Sequence, residues 1–201
     1  MRKIYLILAL LIGCGSINKE IEQPFNYTDK AWYVGSAKNI PIWIDNDFSI
    51  NDKEVIEGAI SFWNKALNGH IKLIVVDDKF NMSINRIKLQ EKQSGWLIMK
   101  ISSDSFLTPY SEINYRALGF TDMIGGSHLY LVRDKMKDEY LFGVVLHEIG
   151  HLLGSVHVGE GLMSAHFDFI RFRCIDYDTI KAVAAYNDLD INNLNYCQNI
   201  K

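Results

Sequence analysis

Short β-branched or alternating stretches occur at four places along the chain, and apolar residues recur every three to four positions at three others. Residues 39–45 read as a strand, with Pro41 at its start, where a missing amide hydrogen is tolerated. Residues 71–76, 95–101 and 127–132 read as further strands, the last following a turn at Gly125 and Gly126. A helix opens at Asn51 or Asp52 as cap. It sets Val55, Ala59, Phe62, Trp63 and Ala66 on one core-facing side and ends at Asn68 and Gly69. A second, more apolar helix follows Asp138 and Glu139, runs through Leu153 and stops at Gly154. The third covers 177–186, with Asp176 or Asp178 near its start. Residues 81–92 fit either strand or loop, and 102–115, with Pro109, read as a long surface connection.

Composition narrows the class. Of 201 residues, 48% are hydrophobic and 22% charged, which describes one globular domain large enough to form a core without metal or disulfides. The formal charge of -3 is dispersed, with no basic block, so nucleic acid is not an expected partner. At the N-terminus, Met1-Arg2-Lys3 precedes a short apolar run, the layout of an export signal. Leu11-Ile12-Gly13-Cys14 resembles the lipobox of bacterial lipoproteins, in which the signal is cut before the cysteine and the cysteine carries lipid. That resemblance implies a signal peptide over 1–13, lipidation of Cys14, a tether over 14–30 and a folded domain over 31–201, exported and anchored to a bacterial membrane. A plain secretory signal with an incidental cysteine is the other reading. In an oxidising compartment Cys174 and Cys197 either pair as a disulfide or remain two thiols, and spacing does not decide between them.

The second helix carries the chemistry. His147 and His151 are four apart, so their imidazoles lie one turn above the other and can share one metal ion. Glu148, beside the first of them, can reach a water at the open position of a zinc ion, taking a proton during attack and delivering one to the departing amine. Gly154 lets the backbone leave the helix, and His157 can turn back as third ligand. The bare His-Glu-x-x-His pentapeptide occurs by chance in about one protein of this length in several hundred, but the form extended to Gly154 and His157 in roughly one in 10⁵. The extended form is therefore specific.

His147-Glu148-Ile149-Gly150-His151-Leu152-Leu153-Gly154-Ser155-Val156-His157 resembles the metzincin signature of zinc metalloendopeptidases, and looks most like the matrixin branch with its bacterial members. The resemblance implies three zinc-binding histidines, a glutamate general base and a methionine in a tight turn beneath the metal, which Gly161-Leu162-Met163-Ser164 fits through Met163. It also implies a metzincin-type α+β fold: a twisted mixed sheet, the backing helix over 55–67, an active-site helix and a small C-terminal subdomain. In that picture 127–132 is the edge strand above the cleft, holding an extended substrate by backbone hydrogen bonds. Ala165, where astacin-like and serralysin-like relatives carry a tyrosine ligand, sets those branches aside, and no cysteine-containing propeptide masks the metal.

His128 and His166 are read as a strand residue near the cleft and a hydrogen-bonded residue after the methionine turn, His70 as a surface residue, and 187–195 as a solvated turn rather than a calcium loop. Arg171 and Arg173, flanking Phe172, read either as substrate contacts at the rim of the cleft or as ordinary surface charge, and they stay outside the catalytic set. The expectation is a monomeric zinc endopeptidase acting on protein or peptide substrates. The alternative is a lipid-anchored, noncatalytic zinc-containing binding or adhesion protein.

Overall fold

A computed structural model describes residues 32–34, 37–76, 95–103, 117–166 and 174–197. The expected signal over 1–13, the tether with Cys14, residues 81–92, most of the connection after residue 102, and Arg171, Phe172 and Arg173 lie outside the described residues. In chain order the elements are β1 (Trp32–Val34), β2 (Ala37–Ile44), α1 (Ile50–Leu67), β3 (Ile71–Val75), β4 (Trp96–Ile101), β5 (Gly119–Thr121) and β6 (His128–Val132). A 3-10 turn (Arg133–Lys135), α2 (Asp138–Leu152), α3 (Tyr177–Tyr186) and a second 3-10 turn (Ile191–Asn193) complete the series.

The architecture is α+β, with one mixed sheet ordered β1-β2-β4-β6-β5 and β3 paired to β2 off that path. β2, β3, β4 and β6 are mutually parallel, whereas β1 and β5 run antiparallel to their neighbours. Parallel neighbours need a crossover, and α1 provides it between β2 and β3. Strand alternation then divides the side chains. Ile40, Ile42, Ile44, Ile98, Leu129 and Leu131 join the core beneath the sheet with α1 and α2, while Trp43, Leu97, Met99 and Tyr130 cluster on the other face. Full burial of each such aliphatic side chain contributes about 1.5–3 kcal/mol.

Several sequence expectations need correction. Pro41 sits inside the eight-residue β2, not at its start. Lys38 N donates to His70 O and Val76 N to Ile42 O, so the even-numbered amides of β2 face β3. The missing amide of Pro41 therefore falls on the opposite edge, where pairing with β1 ends at Asn39 and pairing with β4 begins at Ile42. α1 is capped by Ser49, whose hydroxyl accepts from Asp52 N at 3.1 Å, not by Asn51 or Asp52. Its buried stripe is Ile56, Ala59, Ile60, Trp63, Ala66 and Leu67, with Val55 and Phe62 on its flanks.

Asp52 instead points inward and accepts from Arg133 Nε and Nη2, each at 3.0 Å. The same guanidinium donates to Met136 O at 2.6 Å and pairs with Asp138 in the first turn of α2, so one arginine joins the starts of both core helices. The strand after Gly126 is not the sheet edge. β6 lies between β4 and β5, and among the described residues the three-residue β5 forms that edge. The stretch 187–195 is only partly solvated: Leu194 is buried and Asn195 N donates to Ala66 O at 2.8 Å. Cys174 and Cys197 stand as a disulfide with Cα atoms 6.0 Å apart, and Cys197 N donates to Ile175 O.

Candidate metal centre

α2 runs through the middle of the core, so its polar residues need partners that the core must provide. His147 and Glu148 are fully buried and His151 is 2% exposed. Trp63 of α1 donates its indole N–H to Leu146 O at 2.9 Å, fixing the helix one residue before the first histidine. The crossing is close because Gly150 has no side chain: a methyl there would overlap Met163 Sδ and lie 3.4 Å from Trp63 Cζ2.

The helix ends in a Schellman arrangement. Ser155 N donates to Gly150 O at 2.9 Å, and Gly154 N to His151 O at 3.0 Å, with Gly154 at φ 94°. A side chain at Gly154 would also meet the ring of Tyr186, so the glycine serves both the left-handed turn and the packing of α3. Asn187 Nδ2 at the end of α3 donates to Leu153 O at 2.8 Å. The turn brings the Ser155 carbonyl back to His151 Nδ1 at 2.8 Å, and Leu162 O lies 2.6 Å from His147 Nδ1.

A carbonyl oxygen only accepts. Nδ1 of both imidazoles therefore carries the proton and Nε2 carries the lone pair, the tautomer a metal ligand needs. Burial first, and then neighbouring His151, push the His147 imidazole down to about 3 against the opposing pull of the Leu162 carbonyl. Burial likewise takes His151 down to about 4, opposed by the Ser155 carbonyl and aided by His157. His157 is lowered by burial and then by His166. All three rings are thus neutral at pH 7 and able to coordinate.

One ring nitrogen from each of His147, His151 and His157 lies within 4.8 Å of the others. Nitrogens around one tetrahedral ion sit roughly 3.4 Å apart, a spacing within reach of side-chain rotation. The Nε2 atoms of His151 and His157 are buried and have no hydrogen-bond partner among the described residues. Such atoms are costly in a core unless a bound group satisfies them, so the donor set fits a divalent metal ion. Met163 is fully buried against Gly150, which lies between the first two histidines on α2, and the turn holding it is closed by Ser164 N to Gly161 O and Val158 N to Met163 O.

Two features of the surroundings have little sequence signature. β5 passes directly over Glu148, where a side chain at Gly119 would lie 3.1 Å from Glu148 Cγ and 2.8 Å from Val144 Cγ1. Thr121, two residues on and on the same strand face, is 1% exposed with a buried hydroxyl that has no hydrogen-bond partner among the described residues. His128 is held away from the cluster. It belongs to the other face of the sheet with Tyr130, its Nδ1 3.0 Å from Asp122 Oδ2 and 2.9 Å from Ser127 Oγ. His166 is exposed, and its amide donates to Ser164 Oγ. Among the described residues, the three histidines are the one group of metal-ligating type gathered this way. Comparison of the chain with protein-family models and with curated protein sequences gives no match.

Proposed function

We propose that the chain is a zinc-dependent endopeptidase of the metzincin type, nearest to the matrixin-like branch, in which His147, His151 and His157 hold zinc and Glu148 is the general base. The observation that carries this reading is the convergence of three neutral imidazoles, two with Nδ1 tied to backbone carbonyls, with the buried carboxylate of Glu148 directly following the first of them on α2. Imidazole nitrogen donors suit zinc among several transition metals, and a three-histidine set leaves a fourth position for water or substrate. Bound there, zinc would supply the Lewis acidity that activates water and polarises a peptide carbonyl.

The chain's own residues account for the remaining steps. Glu148 takes a proton from the attacking water as the new C–O bond forms, then delivers it to the amide nitrogen as the C–N bond breaks. Its stem is confined under Gly119, which limits the positions the carboxylate can adopt. Among the described residues β5 pairs only with β6, so its outer backbone edge is the one beside Glu148 to which an extended peptide could add as a strand. This moves the substrate-holding role from 127–132 to β5.

The test is mass-spectrometric detection of new peptide termini after the zinc-loaded protein meets a denatured protein mixture, with Glu148→Ala as the matched control. Cleavage by the wild type that disappears in the variant supports the reading, and zinc binding without any cleavage overturns it in favour of a binding role. We further propose a lipid anchor at Cys14 and a monomeric state. Mass analysis of the N-terminal peptide from a membrane fraction would show the acyl chains, and an unmodified Cys14 there would remove that proposal.

A further inference from the structure

We infer that Asp176, outside the histidine motif, is a positioning residue for the metal site: it fixes Leu162, and through the Leu162 carbonyl it orients His147. This rests on the metal-binding reading above.

Asp176 is the N-cap of α3, its Oδ1 accepting from Thr179 N at 3.0 Å. A cap needs only one oxygen, and serine or threonine would provide it. The second oxygen, Oδ2, accepts from Leu162 N at 2.7 Å and from Thr179 Oγ1 at 2.9 Å. Charge-assisted bonds to a carboxylate are shorter and stronger than neutral ones, and the bond to Leu162 is the shortest of the three. Leu162 is thereby held at its amide, its side chain is fully buried, and its carbonyl receives the Nδ1 proton of His147 at 2.6 Å.

The sequence of the turn accommodates this approach. A methyl at Gly161 would overlap the Asp176 carboxylate. Gly159, at φ 61°, brings the chain against Asp178, where a methyl would lie 2.7 Å from Oδ2. The segment that carries His157, accepts from His147 and contains Met163 is thus docked on the first turn of α3 by a two-oxygen side chain. Loss of that carboxylate frees the Leu162 carbonyl to turn, and the imidazole it steers turns with it.

The experiment compares zinc affinity, by competition with a chromophoric chelator, and the visible spectrum of the cobalt(II)-loaded full chain in wild type, Asp176→Ser, Asp176→Asn and Ser49→Ala. Ser49→Ala removes a comparable cap from α1, away from the metal turn, and so matches the loss of a helix cap alone. Asp176→Ser keeps a capping oxygen but not the bond to Leu162. It should weaken zinc binding roughly tenfold or more and alter the cobalt bands, while Ser49→Ala changes neither. Asp176→Asn, similar in size with one acceptor oxygen, should follow the serine variant and decides the matter if that variant fails to fold. Wild-type affinity in the folded Asp176 variants, or equal weakening in Ser49→Ala, overturns the inference. Failure of the wild-type chain to bind zinc at all instead overturns the metal-site reading on which it rests.

Discussion

Gly150 and Met163 pack so closely that a single methyl group added to the glycine would overlap the methionine sulfur. In an exposed helix, glycine to alanine gains about 1 kcal/mol from backbone entropy. At Gly150 the gain is opposed by overpacking, which typically costs about 1–3 kcal/mol and is reduced where the neighbour is a flexible methionine. Trp63 on the same side and the turn bonds around Met163 limit how far that sulfur can retreat. Gly150→Ala is therefore expected to lower stability by about 1 kcal/mol in denaturant unfolding, despite its better helix propensity. An unchanged or raised midpoint would mean that Met163 yields freely and that its seat under α2 is loose.

The helical part of this arrangement was readable in the residues, because long periodic elements carry a repeated signal. α1, α2 and α3 fall where the apolar spacing puts them, and the spacing of His147, His151 and His157 around Gly154 anticipates their convergence. β1 and β5 are three residues each, too short for any alternation to emerge, so the sequence pattern gives no sign that a strand lies beyond β6. Ser49, Asn51 and Asp52 are all good capping types that nothing local separates, and Arg133, 81 residues later than Asp52, draws the aspartate inward while Ser49 caps the helix. The carbonyls of Leu162 and Ser155 that orient two imidazoles left no trace, since a backbone acceptor is the same whatever side chain it accompanies.

Asp52 gives stability a defined pH dependence. Burial alone would raise its pKa, but the hydrogen bonds and charge of Arg133, with those from Ser49, outweigh burial and lower it. The folded chain therefore keeps this carboxylate ionised at pH values where the unfolded chain has protonated it. The resulting stabilisation is present in full above the ordinary carboxyl value near 4 and is lost as pH falls through the lower folded value. Asp52→Asn should cost about 2 kcal/mol at pH 7, allowing for the contacts Arg133 keeps with Asp138 and Met136 O. In paired urea titrations the gap between wild type and variant should be flat from pH 7 to 5 and narrow toward pH 3. A gap that widens in acid contradicts the assigned direction.

Thr121 poses the opposite case, a group that costs stability where it stands. Its buried hydroxyl has no hydrogen-bond partner among the described residues, and valine has the same shape and an equal liking for strands. Burying an unsatisfied hydroxyl costs about 1–3 kcal/mol, so Thr121→Val should raise stability by about 1 kcal/mol in thermal unfolding. Retaining such a group in a core makes sense where it meets a partner only during function, and Thr121 shares its strand face with Gly119, which lies against Glu148. Under the endopeptidase reading proposed above, the same variant is accordingly expected to lower kcat/KM against peptides while its zinc affinity is unchanged. Higher stability with full activity would leave the hydroxyl without a functional role. Lower stability would show instead that a buried water already satisfies it, and the strand would then owe its threonine to structure alone.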